Sequence, residues 1–416
     1  MRNPKRSLLA LLIAASLVAA GCGGDDGDGG SGDSDGAEIG SGETENMPEG
    51  EPIIIGMDLD STGPGASYSV IAGQTIEDAV EQINEDGGIL GRPVRLVTEN
   101  DESDPTRTPS IVRRLLDEHD ADVLLLQSAG AAVQQAKSVL QEAGVPAIAP
   151  TSISQSIAEP PDNDFIYVLA NPISDFVEVY CGAFEAADIE TLAIMSDSSS
   201  TIAGVNDLLL PGLNDCVDIV AQEEADVDAS DVNAQIARIA DEDPDAVLVS
   251  SVGGNFEVVA QNTLYQQMPD VTRFSLASIG NQPETWDLAN PGALEGLIYM
   301  ASIDPSNPRT QELEEFLEPR RDDDWQMTAY DAQAYDSVYL LRQAIEDAGT
   351  ADDPVAINEA LQAIEGYEAH FGQEGFTISY GPDKHIGSDG LCGLSLVQFD
   401  ADNRPSEPWD EYQPPC

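Results

Sequence analysis

The sequence predicts an α/β protein with two lobes, each built on a doubly wound parallel sheet. Short apolar runs alternate with segments of helical periodicity, and this alternation is typical of a parallel sheet covered by helices on both faces. The alternation occurs twice along the chain. In addition, 416 residues exceed one typical domain, and a hydrophobic content of 41% is enough to fill more than one core.

The first series of elements lies between residues 53 and 150. Apolar strands are expected at residues 53–57, 94–98, 123–126 and 146–149. The helix after the first strand is indicated by apolar residues at i, i+3, i+4 and i+7 over residues 76–83. Gly87 and Gly88 then end this helix, because helix ends favour residues that tolerate positive φ.

The second series of elements follows residue 190. Strands are expected at 192–195, 217–221, 246–250, 274–276 and 296–300, and helices at 202–213, 232–240 and 256–267. A further helix is expected at 330–341. The last two apolar runs, 376–380 and 394–399, are expected to pair as a closing β-hairpin.

The segment Ser128, Ala129 and Gly130 lies between a buried strand and a helix start, which makes it a candidate binding loop. Sheets of this kind bind ligands at the carboxyl ends of their strands. Free N–H groups and the helix dipole hold carboxylates at such a position, and the Ser128 hydroxyl adds a donor. The alternative is that Ser128 only caps the helix.

Two runs resemble a known family. Residues 84–93, NEDGGILGRP, and residues 99–105, ENDESDP, are similar to the corresponding stretch of the branched-chain amino acid-binding protein family, the receptors of ABC importers. The resemblance covers roughly residues 53–400. It implies the type I periplasmic binding protein fold, in which a multi-strand hinge joins two lobes assembled from discontinuous segments.

The resemblance also implies the domain boundaries. Lobe one is expected to comprise residues 52–169 and 302–372, and lobe two residues 170–301 and 373–400. Residues 401–416 are expected to form a C-terminal tail.

In the family, the loops after two neighbouring strands grip the α-carboxylate of the ligand, and a tyrosine lines the cleft. The matching positions here are Ser128 and Gly130, then Thr151 and Ser152, with Tyr68 as the tyrosine, although Tyr68 can equally pack in the core. With the remaining strand-end loops, the expected ligand-binding residues are Tyr68, Ser128, Ala129, Gly130, Thr151, Ser152, Ser200, Gly254, Ser278 and Asn281.

The chain departs from the family pattern in several loops. No aromatic residue stands near Ser200, where the family has one that covers the ligand, and Ile153 replaces the usual threonine. Glu284 or Asp287 is a candidate partner for a ligand ammonium group, but acidic residues are so common in this chain that a solvated surface position is favoured for either.

The composition excludes several classes of function. The formal charge is -60, from 77 acidic and 17 basic residues, so nucleic acid is not an expected partner. The acidity indicates adaptation for solubility, including solubility in high salt, and the alternative is an acidic patch with a dedicated partner. No catalytic or phosphate-binding motif accompanies the three histidines, so we expect neither an enzyme nor a cofactor.

The N-terminus has the pattern of an export signal. Basic residues precede an apolar run at 8–20, and the segment 18–22, VAAGC, resembles the lipobox of bacterial lipoproteins. We therefore expect a signal peptide at residues 1–21 and a lipid on Cys22, with an ordinary secretory signal as the alternative. The Gly-, Asp- and Ser-rich residues 22–51 are expected to form a disordered tether, and their acids lack EF-hand spacing.

The remaining cysteines are Cys181, Cys216, Cys392 and Cys416. An even number in an exported chain favours disulfides, and three pairings are possible. We favour Cys181–Cys216, both expected in lobe two, and Cys392–Cys416, which are close in sequence. Zinc is the alternative, but no pair has Cys-x-x-Cys spacing.

These features predict a lipid-anchored extracytoplasmic solute-binding protein of an ABC importer. The expected partners are a small polar solute, amino acid or related, the membrane through the lipid anchor, and a permease with its ATPase. The alternative is a ligand-binding sensor of the same fold that signals instead of delivering its ligand.

Overall fold

A computed structural model of the chain describes residues 48–322 and 325–416. The expected signal peptide, the lipidated Cys22 and the tether up to residue 47 lie outside the described residues. Among the helices that are described, none is both long and apolar enough to cross a membrane.

The first sheet contains five parallel strands in the order β2-β1-β3-β4-β5. The strands are β1 (Ile53–Leu59), β2 (Val94–Glu99), β3 (Val123–Gln127), β4 (Ala147–Ala149) and β5 (Ile166–Val168). Every residue of β1 and β3 is buried, because helices cover both faces of the sheet.

Helices from two separate parts of the chain cover this sheet. They are α1 (Ala66–Glu85), α2 (Thr108–Asp117), α3 (Gly130–Ala143), α9 (Pro308–Leu317), α10 (Ala329–Ala348) and α11 (Pro354–Leu361). On one face α1 packs with α10 in a core that includes Ile76 and Leu341, while α2 and α3 fill the other face with residues such as Val112 and Leu140. The first lobe is therefore completed by residues that follow the second series of strands.

The second sheet contains seven strands in the order β14-β13-β10-β9-β8-β6-β7. The strands are β6 (Thr191–Asp197), β7 (Asp218–Ala225), β8 (Ala246–Ser250), β9 (Thr272–Ser275), β10 (Ile298–Ala301), β13 (Ser395–Phe399) and β14 (Pro405–Pro408). The first five of these strands run parallel, and β13 runs antiparallel to both β10 and β14.

Helices again lie on both faces of the second sheet. They are α4 (Ile173–Ala186), α5 (Ser200–Leu213), α6 (Asn233–Asp241), α7 (Gly254–Gln267) and α8 (Pro283–Trp286). One core packs Phe176 and Leu209 from α4 and α5, and a second packs Ile236 and Phe256 from α6 and α7. Two doubly wound sheets confirm the predicted fold class.

Three stretches of chain connect the two sheets. The first leads from β5 to α4, the second from β10 to α9, and the third from the short strand β12 (Thr377–Ile378) to β13. Isolated bridges tie two of these connections to the chain beside them: Ile303 of the second pairs with Gly372, and Ile386 of the third pairs with Val168. The lobes are therefore joined by the multi-strand hinge that the fold class implies.

The C-terminal part of the chain differs from the prediction. Residues 376–380 and 394–399 do not form a hairpin, because β12 pairs with β11 (Tyr367–Glu368) while β13 pairs with β10 and β14. Phe376 packs on Phe371, with ring centroids 5.1 Å apart, inside the core of the first lobe. Residues 373–380 thus belong to lobe one rather than to lobe two.

Residues 401–416 are not a free tail, because they provide β14 and bury Trp409 in the core of the second lobe. The Trp409 ring packs edge-on against Phe274 at 5.7 Å. The disulfide Cys392–Cys416 holds this segment, and Cys181–Cys216 links α4 to the turn that precedes β7. Both favoured pairings are confirmed, and the zinc alternative is wrong for these cysteines.

Candidate functional site

A cavity of about 110 Å³ lies between the two lobes and is lined from both sheets. Its walls begin where the strands end: Ser128 follows β3, Ser251 follows β8 and Leu276 follows β9. The carboxyl ends of parallel strands share one edge of a sheet, so the loops that follow them converge there. The cavity therefore occupies the position expected for the binding site of this fold.

Backbone donors face the cavity at the start of α3. The N-cap residue is Ala129, which provides no side-chain cap, so the N–H groups of Gly130 and Ala131 have no acceptor within the described part of the chain. A Cβ atom at Gly130 would lie 3.2 Å from the Cβ of Ser154, so the wall is closely packed here. Free N–H groups and the positive end of the helix dipole make this corner suited to an anion.

The Ser128 hydroxyl is turned away from a ligand anion. Its oxygen donates to Asp101 Oδ2 at 2.5 Å, and Thr108 donates to the same carboxylate oxygen at 3.1 Å. Ser128 therefore presents only oxygen lone pairs to the cavity. The expected hydroxyl donation from Ser128 to a ligand carboxylate does not fit this geometry, and neither does the capping alternative, because the N-cap is Ala129.

The hydroxyls of Thr151 and Ser152 have the opposite polarity. Thr151 accepts from Gln127 Nε2 at 2.8 Å, and Ser152 accepts from the N–H of Ser154 at 3.4 Å. Within the described residues, no acceptor takes the hydrogen of either hydroxyl. Both hydrogens are thus available to a ligand acceptor beside the N–H groups of α3.

On the opposite wall, a buried glutamate organises the loops after β8 and β9. Glu257 of α7 is fully buried and accepts hydroxyls from Ser251 and from Ser275, the latter at 2.9 Å, as well as Gln261 Nε2 at 2.8 Å. Burial raises the pKa of the Glu257 carboxyl to about 7, against the hydrogen bonds, which lower it. Glu257 fixes Ser251 on the wall without lining the cavity itself.

The rest of the wall is apolar or uncharged. Aliphatic and aromatic side chains are supplied by Ile153, Ile173, Phe176, Ile202, Val205, Leu208, Val252, Leu276 and Ala277. Tyr68 of α1 and Tyr330 of α10 form a tilted ring pair with centroids 5.9 Å apart. Among the described residues, no Asp, Glu, Lys, Arg or His lines this cavity, and no cluster of His, Cys, Asp and Glu is arranged to hold a metal ion.

The structure brings most of the sequence-predicted residues to this cavity. Those that line it are Tyr68, Ser128, Gly130, Thr151, Ser152, Ser278 and Asn281. Their part in binding stays a prediction. Tyr68 faces the cavity rather than being confined to the core of the first lobe.

Three predicted residues do not line the cavity. Ala129 is the buried N-cap of α3, and Ser200 begins α5 one residue before the lining residue Thr201. Gly254 begins α7, and its N–H donates to Gln282 Oε1 at 2.5 Å. Other residues of each loop line the cavity instead: Ser128 and Gly130, Thr201, and Ser251 with Val252.

The acidic candidates for an ammonium partner also lie elsewhere. Glu284 and Asp287 line a separate groove at the edge of α8, where Asp287 accepts from Arg404 Nη2 at 2.6 Å. Neither carboxylate reaches the cavity between the lobes.

Sequence reasoning missed several residues of the wall, chiefly Phe176, Tyr330 and Gln333. Phe176 lies on α4, which follows the first connection between the lobes. Tyr330 and Gln333 lie on α10, which comes after the second connection. The only available signal was the position of Tyr330 at the start of a predicted helix. Nothing in the sequence pattern placed that helix end against the strand ends of both sheets.

A sequence model of the family described as "Periplasmic binding protein" matches residues 52–402. The Leu/Ile/Val-binding protein BraC3 of Rhizobium johnstonii is 24% identical over 353 residues, which cover 84% of this chain and 92% of that protein.

Another relative comes from an archaeon. The protein named chemotactic signal transduction system substrate-binding protein BasB, from Halobacterium salinarum, is 26% identical over 342 residues. The match covers 77% of this chain and 76% of BasB.

Solved structures share the fold. The substrate-binding protein LivJ of Streptococcus pneumoniae, in complex with isoleucine, has a TM-score of 0.74 at 18% identity, covering 88% of this chain and 100% of LivJ. A branched-chain amino acid ABC transporter protein of Thermus thermophilus, with bound valine, has a TM-score of 0.74 at 20% identity, covering 86% and 96%. At such identities the similarity establishes the fold alone.

Proposed function

Because the chain belongs to the periplasmic binding protein family, we propose that it is an extracytoplasmic solute-binding lipoprotein of an ABC importer. Its relatives are solute-binding proteins, not enzymes. The proposed solute is a small polar molecule, an amino acid or a related carboxylate or amide. The partners are a membrane permease and its ATPase.

The cavity between the lobes carries this proposal. Gly130 and Ser152 on one lobe and Ser251 and Leu276 on the other contribute to a single wall. A ligand that contacts both lobes stabilises the closed arrangement relative to an open one, since it gains contacts only when both walls are present. The permease then recognises the closed form.

The direct test is to purify the mature protein without denaturation and identify any bound solute by mass spectrometry. We expect a stoichiometric small molecule in the wild type. Gly130→Val should lose it, because a side chain here meets Ser154 at 3.2 Å already at Cβ. Glu142→Val, on an exposed part of the same helix, is the matched control. If both variants retain the same amount of bound solute, the ligand does not bind beside Gly130.

A second candidate function is sensing. It is favoured by the relative from Halobacterium salinarum whose name assigns it to chemotactic signal transduction. Deletion of the gene separates the two functions. Loss of solute uptake with normal taxis supports import, and loss of taxis toward the solute with normal uptake supports sensing.

The proposed membrane anchor is tested separately. Cys22 is followed by the Gly- and Asp-rich run of the expected tether. We expect Cys22→Ser to move the protein from the membrane fraction to the soluble fraction, because the lipidated sulfur is removed. Retention of this variant in washed membranes would contradict the lipoprotein proposal.

A further inference from the structure

The charge of the cavity wall restricts the ligand more narrowly than the proposed function does. In the described residues every lining side chain is apolar, a hydroxyl or an amide. Acids lie one residue behind the wall: Asp101 accepts a hydrogen bond from the Ser128 hydroxyl and Glu257 accepts one from the Ser251 hydroxyl. A ligand group in the cavity therefore meets serine oxygens and not a carboxylate.

The donors are concentrated at one corner. The N–H groups of Gly130 and Ala131 and the hydroxyl hydrogens of Thr151 and Ser152 all lack acceptors within the described chain. Ser152 is only 8% exposed, so water does not freely satisfy its hydroxyl. Because none of these donors has an acceptor in the described chain, all of them are available to the lone pairs of one carboxylate group.

Beyond its uncharged hydroxyl and amide groups, the remainder of the cavity offers no counter-charge to a second charged group. Phe176, Ile202, Val205 and Leu276 face it from the second lobe, together with the small side chain of Ala277. An ammonium group enclosed among such residues loses its hydration and gains no counter-charge, which is costly. An apolar body, by contrast, gains free energy from burial there.

We propose that the ligand is a monocarboxylate with an apolar body and no ammonium group. This inference rests on the proposed function and narrows its solute class. It separates this site from one built for an α-amino acid, which must pair both charges of its ligand.

Calorimetric titration with two matched probes tests the inference. L-leucine and 4-methylpentanoate share a carbon skeleton and a carboxylate, and differ only by the ammonium group. We expect 4-methylpentanoate to bind at least about tenfold more tightly. The uncharged 4-methylpentanamide should bind at least about tenfold more weakly than the acid, because it forms no charge-assisted hydrogen bonds.

A substitution on the wall gives an independent readout. Ala277 is a small, partly exposed residue of the loop after β9 that lines the cavity, so a longer side chain at this position is placed beside the ligand. Ala277→Glu supplies the missing counter-charge and should raise the affinity for L-leucine while lowering that for 4-methylpentanoate. Ala277→Gln has the same size without the charge and should leave the preference for the acid unchanged.

The outcomes are distinct. Equal or tighter binding of L-leucine by the wild type overturns the inference, as does the absence of binding by both probes. Neither result removes the proposed function, which stands or falls with the identification of any solute that Gly130→Val releases.

Discussion

Ser128 and Thr151 follow neighbouring strands, yet they offer a ligand opposite ends of a hydrogen bond. The Ser128 hydroxyl donates its hydrogen to Asp101 at 2.5 Å. The Thr151 hydroxyl accepts from Gln127 at 2.8 Å, so its own hydrogen is available to a ligand. Residue type alone could not reveal this difference, because Asp101 lies 27 positions away from Ser128 in the sequence. The strand-end positions were predictable, but the direction of each hydroxyl was not.

Thr151→Val is expected to weaken binding of the co-purified solute. A hydrogen bond to a charged group contributes about 1.5–3 kcal/mol, so the affinity should fall by roughly 10- to 150-fold. Thr151→Ser keeps the hydroxyl and should restore most of the affinity. Calorimetric titration of both variants measures the effect. Unchanged affinity of Thr151→Val together with weaker binding by Thr151→Ser would show that the methyl group, and not the hydroxyl, contributes to binding.

Ser128→Ala is expected to affect stability rather than binding. The buried Asp101 loses one of its donors and keeps Thr108, so the free energy of unfolding should fall by about 1–3 kcal/mol. Affinity for a carboxylate should change by less than about threefold, because the lost hydrogen never faced the ligand. Urea unfolding checks the first value, with the exposed Ser110→Ala as a control. A large loss of affinity at unchanged stability would contradict this geometry.

At the scale of elements, α7 ties the ends of β8 and β9 together through Glu257. Burial, together with the charge of the nearby Asp197, raises the pKa of this carboxyl from 4.5 to about 7. Its contribution to folding stability is therefore fully present below about pH 4.5 and is lost as the pH rises to about 7, because the folded state resists ionisation.

Glu257→Gln should remove this pH dependence. Between pH 5 and pH 8 the stability of the variant should rise relative to the wild type by an amount on the order of 3 kcal/mol. Chemical unfolding of both proteins across this range measures it. Parallel curves for the two proteins would mean that Glu257 titrates normally.

The elements themselves were predicted with uneven success. The strand β3 stands out in the sequence as a fully apolar run, because it is buried on both faces. The helix α10 stands out by its regular apolar spacing, because it buries one face. The pairing partners of short strands cannot be predicted in this way. Thr377 and Ile378 pair with residues 367–368 because Phe376 is buried in the core of the first lobe, and no local sequence pattern indicates this pairing.

At the scale of the whole molecule, the formal charge of -60 sets the response to salt. Removal of residues 1–21 would take away three basic residues and no acidic one, which brings the formal charge to -63. Repulsion at this density favours expansion, and ions screen it over about 10 Å at 0.1 M. The expected response to salt therefore follows from the composition alone.

Thermal unfolding midpoints should therefore rise as NaCl is added, from low ionic strength to the molar range. Differential scanning calorimetry measures the shift. Sucrose of matched osmolality serves as the control for non-ionic effects on the midpoint. A midpoint that stays flat or falls with salt would contradict the expectation.

The edge of β10 has a consequence for partial chains. This strand is covered on one side by β13, which begins at residue 395, long after β10 ends at residue 301. During synthesis, the N–H and C=O groups on this edge of β10 therefore stay unpaired until residues 395–399 have been made. A product cut between these strands keeps that edge open and invites pairing with another chain, so truncated translation products should aggregate and attract proteases more than the intact polypeptide does.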